Sequence, residues 1–280
     1  MNSVTVLLPE RARFGGQRLG EAFGLRLGRA DRSVEAADQA ARVFDILPRG
    51  WPIAAVSRQR DVGDAAYGAW LRADPAYVRP DINGARLLAY GQALSLSEPR
   101  ESRLPKFASP EQALGEDMFH HLPGMENAVS GGRRWRSLLS EAQIVLHNHP
   151  HNAQRIAAGL APINSLWFWG GGVLPDHVRT TYQQVYSDDE GLTAFGIQAG
   201  IAAMALPPQW PAGEGERLFD LRGARDLAVV QRDWLEPIAR ALDARTLDRA
   251  ALAFADGERF ELARSQRWRF WRKSLRSLQV

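Results

Sequence analysis

The strongest constraint on this chain is the length of its apolar runs. Residues 4–8, 53–56, 163–169 and 227–230 are blocks of four to seven residues rich in β-branched, leucine or aromatic side chains. Blocks this short read as buried strands, because helices need ten or more residues and these are cut off by Pro9, Pro162 or Gly170. Between them lie stretches with helical spacing. In residues 33–47 the apolar positions Val34, Ala37, Ala40, Ala41, Phe44 and Leu47 recur every three or four residues behind Ser33, a good N-cap, which predicts an amphipathic helix. Similar patterns predict helices over 61–70, 110–120, 135–146, 192–206 and 234–242, and a shorter one over 177–182. Pro150 breaks one helix and starts another that ends at Gly159. Asn83-Gly84 and Asp256-Gly257 each separate two extended stretches, as hairpin turns do. Pro75 and Pro80 make the arm before Asn83 irregular or an edge. Alternating strands and helices with two hairpins describe an α/β fold with a mixed sheet.

A chain of 280 residues can bury one large core or two modest ones. Residues 95–109 are polar and contain Pro99, Pro105 and Lys106, so they are the best linker. They divide the chain into an N-terminal α/β region with a hairpin (1–105) and a C-terminal region (106–280). With no cysteine, the chain has no disulfides, thiol nucleophile or cysteine-ligated metal, which fits a reducing compartment. No apolar run approaches the roughly 18 residues of a membrane span, and the first residues lack the pattern of a secretory leader; a cytoplasmic location is expected. The net charge of +3 does not mark the whole chain as a nucleic-acid binder, although Lys106 and Lys273 are its only lysines and nearly every cation is a guanidinium.

Three motifs carry chemistry. His147, His149 and His151 form a dense cluster that invites a metal reading, yet alternate residues share a face only in an extended strand, and Pro150 interrupts regular structure. A helix terminus with exposed or hydrogen-bonded histidines is the other reading. Gly170, Gly171 and Gly172 follow the 163–169 strand and allow backbone amides to approach an anion, without matching either glycine-rich nucleotide motif. With Arg155 on the preceding helix and Asn164 and Ser165 beside the strand, they make an expected anion pocket at the strand's carboxyl end. Finally, Arg267, Trp268, Arg269, Phe270, Trp271, Arg272 and Lys273 interleave cations with aromatics. Such a stretch can bind nucleic acid or an anionic membrane, or serve as an edge strand with one face on the core. Arg72, Asp74 and Arg79 on a proline-stiffened segment suit an ion-pair cluster or an anion.

The passage LHNHPHNAQRIAAGLAPINSLWFWGGGVLP, followed by FGIQAGIAAMALP, is similar to cofactor-independent phosphoglycerate mutases of the archaeal type, over roughly residues 146–207. PINSLWFWGGG, together with WLRADPAYVRP, resembles the RpfE-type regulatory proteins over most of the chain. These resemblances imply a reduced alkaline-phosphatase-like core with a smaller second lobe. The mutases move phosphate between a serine or threonine and two divalent metals held by aspartates and histidines near both ends of the chain. Here Pro9, Glu10 and Arg11 follow the first strand where a metal-binding aspartate belongs, and no histidine follows His177. Asp188, Asp189 and Glu190 read as a solvated turn. The expected function is therefore a bacterial regulatory protein, a degenerate mutase recognising a small anionic metabolite without a cofactor or phosphoryl transfer. The alternatives are a metal-dependent phosphomutase or phosphatase with relocated ligands, and a nucleic-acid or protein adaptor working through the basic aromatic tail.

Overall fold

The computed structural model describes residues 2–35, 43–47, 52–63, 69–78, 85–87, 94–98 and 131–278. By contact the chain forms two nested units, residues 1–47 with 177–280, and residues 48–176. The linker expected near residue 105 lies outside the described residues, as does the helix expected over 110–120.

The first unit is built on a seven-stranded mixed sheet. Its strands are β1 (Ser3–Leu8), β2 (Asp31–Val34), β9 (Gln184–Tyr186), β10 (Ala202–Met204), β11 (Glu216–Asp220), β12 (Arg249–Phe254) and β13 (Glu258–Ala263), in the order β10-β9-β11-β1-β12-β13-β2. The run from β10 to β12 is parallel, and β13 and β2 add antiparallel at one edge. β1 is buried from Val4 to Leu8, as its unbroken apolar run requires of a strand covered on both faces. The core contains Val4, Val6, Leu8, Phe219, Leu252, Phe254 and Phe260, packed with Phe23 and Leu27 of α1 (Glu21–Arg29) and Ile238 and Leu242 of a C-terminal helix. A two-stranded ladder pairs β3 (Asp45–Leu47) with β8 (His177–Arg179).

The second unit centres on β4 (Ala69–Val78). One side of β4 pairs with β5 (Ala85–Leu87) and β6 (Leu94–Glu98), and the other with β7 (Ser165–Val173), all antiparallel. The proline expected to push this arm to an edge is accommodated inside a central strand. β6 pairs with Ala69 to Ala73 and β5 with Ala76 to Val78, so on that edge Pro75 falls in the gap between them, while on the other edge it stands opposite Leu166 of β7. The Asn83-Gly84 turn itself lies outside the described residues; the two arms pair with Val78 opposite Ala85, and residues 79–84 connect them. Against β7 lie α2 (Ile53–Asp61) and α3 (Gly131–His147), the latter seating Trp135 and Leu139 on Phe168 and Ala73. Helix α4 (Pro150–Ala157) follows, with the expected proline at its start.

Several elements depart from expectation. Residues 53–56 are the buried first turn of α2, and residues 227–230 are α6 (Leu227–Val230), which runs through a π-helical stretch (Gln231–Leu235) into α7 (Glu236–Asp243). A short apolar run carries no period that separates strand from buried helix, and Asp226 decides the second case: its carboxylate accepts from Ala228 N and Val229 N as an N-cap. The helix expected over 33–47 gives way at both ends to strands β2 and β3, and its middle lies outside the described residues. That over 61–70 is replaced by the end of α2 and the start of β4, with 64–68 not described. Residues 177–179 form strand β8 rather than a helix. The 192–206 helix is α5 (Glu190–Gln198), which stops before Gly200 at φ +72° and yields to β10. The tail forms a 3-10 turn (Arg264–Trp268), not an edge strand, because Arg269 is drawn onto Asp31 and Arg29.

Gly20, Gly24 and Gly28 recur every four residues at the start of and along α1; the Gln231 side chain lies on Gly20, and the C-terminal segment lies directly on Gly24 and Gly28. A Cβ at Gly24 would stand 2.1 Å from Leu275 O, and one at Gly28 2.0 Å from Lys273 O. Leu275 N donates to Gly24 O and Leu19 N to Arg276 O, fixing the strap by its backbone. On a free helical surface Gly→Ala would stabilise by about 1 kcal/mol. Here Gly24→Ala is expected to destabilise by about 1 to 3 kcal/mol, because the strap must lift. Chemical denaturation of the variant measures the sign directly.

Candidate functional site

Open α/β sheets present ligands at the carboxyl ends of their parallel strands. In the first unit that edge carries Ser187 after β9, Asp220 at the end of β11 and Arg222 two residues later. Ser187 Oγ donates to Asp220 Oδ2 at 2.7 Å, and Arg222 grips the same carboxylate from Nε to Oδ1 (2.8 Å) and Nη2 to Oδ2 (2.9 Å). Arg222 Nη2 also stands 3.7 Å from Asp189 Oδ2. Asp189 is not part of a merely solvated turn: its Oδ1 accepts from Leu192 N as the N-cap of α5, and its N–H donates to Ser187 Oγ. Burial opposes ionisation of Asp220, but the Arg222 guanidinium and the Ser187 hydroxyl outweigh it and hold the carboxyl below its usual range. Beyond β1 and β12 the pattern repeats. Arg11 Nε meets Asp256 at 2.7 Å, and Glu258 is held by Arg11 (3.4 Å) and Arg32 (2.9 Å).

A second polar group sits on one face of β11. Arg217 is 1% exposed, and its Nη1 donates to Pro211 O at 2.9 Å. Its Nε and Nη2 have no hydrogen-bond partner, nor does the nearby buried Trp210 Nε1. The guanidinium stands 5.6 Å from the ring centres of Trp210 and Phe219. Tyr186 stacks on Phe219 with ring centres 4.6 Å apart, closing the aromatic surround. Gly213 lets the covering loop rest on the cation, since a Cβ there would lie 2.7 Å from Nη1. Burial lowers the pKa of Arg217, and Tyr186 partly opposes this. Among the described residues no carboxylate forms an ion pair with it.

The residues singled out from sequence are arranged differently. β7 continues through the glycines to Val173, with a register slip between the Trp169–Arg72 and Gly172–Trp70 pairs that makes a bulge there, so no turn ends the strand at Gly170. Ser165 and Gly170 are thus separated by five residues of extended chain, roughly 17 Å, and the structure does not bring Arg155, Asn164 and Ser165 to the glycines. Gly170 (φ +65°) and Gly172 (φ +156°) let the start of α2 pack closely: a Cβ would meet Ile53 Cβ at 3.2 Å and Pro52 Cβ at 2.7 Å. Gly171 is exposed between them. Arg155 is buried and gives Nε and Nη2 to Ala161 O, tying down the loop after α4. Ser165 is buried and accepts from Gln143 Nε2, and Asn164 is half-buried. In HNHPHN the organising side chain is Asn152, which donates to Leu146 O and Ile163 O and accepts from Ile163 N. His147, His149 and His151 are exposed; His149 caps α4 by accepting from His151 N, and its ring centre is 6.4 Å from that of His151. Side-chain contacts of Arg72 and Asp74 lie outside the described residues, as does Arg79 altogether. In the tail, Trp268, Trp271, Arg267, Arg272 and Lys273 are exposed, whereas Arg269 is bonded to Asp31.

No protein-family model matches the chain. Over 96 residues it is 38% identical to a probable 2,3-bisphosphoglycerate-independent phosphoglycerate mutase of Geobacter sulfurreducens, a match covering 34% of this chain and 23% of that protein. Over 144 residues it is 26% identical to the corresponding mutase of Methanosarcina acetivorans, covering 49% and 33%. The chain thus shares homology with these enzymes while spanning about a quarter to a third of their length. Among solved structures, the cofactor-independent phosphoglycerate mutase of Thermoplasma acidophilum aligns over 94% of this chain and 89% of its own, with TM-score 0.42 and 15% identity. A Pyrococcus horikoshii protein aligns over 94% and 87%, with TM-score 0.48 and 9% identity.

The residues at the carboxyl edge do not fit a pair of divalent metals. Such a pair needs several free carboxylates and imidazoles. Both oxygens of Asp220 are already taken by Arg222 and Ser187, Asp256 and Glu258 are held by arginines, and no cluster of three or more ligating side chains occurs among the described residues.

Asp220 and Arg222 are expected to behave as one buried pair. Arg222→Met should cost about 3 kcal/mol by stranding the carboxylate, and adding Asp220→Asn should restore most of it. Because the folded pKa of Asp220 is depressed, its contribution is complete above the unfolded value near 3.9 and is lost as pH falls through the folded value. Urea titrations of the single and double variants between pH 7 and pH 3 check both statements, the double variant losing that part of the acid sensitivity.

Proposed function

We propose that this chain is a phosphoglycerate-mutase-like protein that recognises a small anionic metabolite without transferring phosphate, in a regulatory role akin to that of the RpfE-type proteins it resembles. The observation carrying this reading is Arg217. A buried guanidinium without a counter-charge costs several kcal/mol; here Pro211 O takes Nη1, while Nε, Nη2 and, close by, Trp210 Nε1 are donors left without an acceptor. The occupant that balances such a group is an acceptor bearing negative charge, a carboxylate or phosphate oxygen, held by charge-assisted bonds from the planar fork. Ligand entry requires the covering loop, which includes Trp210, Pro211 and Gly213, to lift from the cation. Its proline content and the single glycine at the contact make it a stiff flap rather than a floppy one.

The arginine-neutralised carboxylates at the sheet's carboxyl edge support the absence of mutase chemistry. A degenerate enzyme keeps its sheet while its metal ligands turn to ion pairs, and function follows the site rather than the fold.

Purified protein titrated with inorganic phosphate, 3-phosphoglycerate and a panel of small carboxylates should show a rise in thermal midpoint with at least one anion. A ligand present at about 100 times its Kd stabilises by about 2.7 kcal/mol. Arg217→Met is expected to fold as well as the parent or better, since an apolar side chain suits the site, and to weaken that anion by roughly ten- to a hundredfold. An unchanged response in Arg217→Met, or no response to any anion in the parent, rejects the reading. Incubation of 3-phosphoglycerate with manganese, zinc or cobalt should give no turnover; stoichiometric binding of two metals with metal-dependent turnover would overturn it as well.

A further inference from the structure

We infer that residues 264–276 form a docking surface for anionic phospholipid membranes, independent of the anion site proposed above. Large aromatic side chains are normally the most deeply buried in a fold, yet Trp268, Phe270 and Trp271 are 60%, 68% and 75% exposed. They are not the loose end of a frayed chain. On one side the 3-10 turn Arg264–Trp268 is closed by Gln266, which is buried and bonds Glu261 O and Asp31. On the other side the strap over Gly24 and Gly28 ends in buried Leu278. Between these anchors Arg269 donates to Arg29 O and grips the Asp31 carboxylate, while Arg29 donates to Arg267 O. The backbone is thus pinned inward, and the apolar rings are turned out.

Charge identifies the partner. Residues 264–280 contain Arg264, Arg267, Arg269, Arg272, Lys273 and Arg276 and no acidic residue. This segment carries +6 in a chain of net +3, so the rest is net negative. Arg269 is spent on Asp31 and Arg264 is half-buried, while Arg267, Arg272, Lys273 and Arg276 are exposed in the same segment as the rings, so the partner must be polyanionic and must accept protruding apolar groups.

Ring geometry distinguishes a bilayer from single-stranded nucleic acid. Successive bases stacked on a protein need ring faces that are open and similarly oriented. Trp268 and Phe270 instead meet edge to face, with centres 6.0 Å apart at 78°. Each also has a guanidinium over one face: Arg267 at 4.7 Å from the Trp268 centre and Arg29 at 5.5 Å from that of Phe270. A lipid interface imposes no ring alignment. Tryptophan and phenylalanine enter the headgroup and acyl boundary as a wedge, while arginine and lysine beside them pair with anionic headgroups.

The test is co-sedimentation of the full chain with vesicles of pure phosphatidylcholine and with vesicles containing about 30% phosphatidylserine, a composition that sets a negative surface potential. Binding is expected only to the anionic vesicles and should weaken at high salt. Trp268→Ala with Trp271→Ala should lower the partition coefficient by roughly tenfold or more, with thermal midpoint and circular dichroism unchanged because both rings are exposed. Arg272→Gln with Lys273→Gln should lower it on anionic vesicles as well. Failure to bind anionic vesicles, equal binding to neutral ones, or full binding by the tryptophan variant overturns the inference. Tight, salt-sensitive binding of an oligothymidylate without vesicle binding assigns the surface to nucleic acid instead. Phosphate titration of the tryptophan variant separates the two proposals: its anion response should match the parent whatever happens at the membrane.

Discussion

The first unit depends on the placement of its first strand at the middle of a parallel sheet. β1 pairs with β11 on one side and β12 on the other, partners more than two hundred residues away in sequence. A strand buried on both faces and hydrogen-bonded on both edges cannot be held by local contacts, so the sheet forms only when the C-terminal third of the chain returns to it. That return makes the second unit an insertion between β3 and β8, two strands that pair with each other and bring the chain in and out at one place. Insertions are tolerated where entry and exit are close. The same requirement explains why the C-terminal strap runs over glycines of α1: the last elements must close against the first, and backbone-to-backbone contact leaves no room for a Cβ.

With the sheet fixed, the chemistry available at its carboxyl edge follows from which charges meet there. Parallel strands deliver Asp220, Asp189 and Asp256 to one rim, the arrangement that serves metal-dependent phosphoryl transfer when the carboxylates are free. In this chain an arginine accompanies each. At Asp220 the result favours a rigid rim over a reactive one, because both of its oxygens are taken by Arg222 and Ser187 and its carboxyl is held below the usual range. Arg217, further back along β11, stays electrostatically incomplete: it lies among aromatic rings with Pro211 O as its hydrogen-bond acceptor, and two of its nitrogens have none.

Much of the architecture could be read from the residues. The buried run of β1, the Asp256-Gly257 hairpin, the proline that starts α4 and the aromatic strand β7 have local causes and are visible without the fold. Residues 53–56 and 227–230 were not, because four apolar residues carry no period; only Asp226, an N-cap, signalled the second helix. Gly170, Gly171 and Gly172 suggested a turn, although two of them serve close packing inside a strand, a role indistinguishable in sequence from a turn. Their contact with Pro52 and Ile53 is made across more than a hundred residues of chain. The candidate site was the least legible part. Nothing local marks Arg217 as buried, since its neighbours Glu216 and Leu218 fit any half-exposed strand. The four-residue spacing of Gly24 and Gly28 is the local sign of the strap that covers them.

Arg155 and Arg217 show why residue type alone could not locate the site. Both are buried arginines close to apolar segments. Arg155 directs two nitrogens at one carbonyl, Ala161 O, in a loop a few residues away, and so closes its own helix end. Arg217 gives one nitrogen to Pro211 O and leaves two without acceptors. A guanidinium has five N–H donors in a fixed plane, and a fold that needs it only as a brace can satisfy them with carbonyls from nearby turns. On a central strand the neighbouring carbonyls are already committed to the ladder, so a guanidinium there must draw acceptors from the covering loop or from a ligand. That constraint, rather than the abundance of arginine in the chain, singles out Arg217.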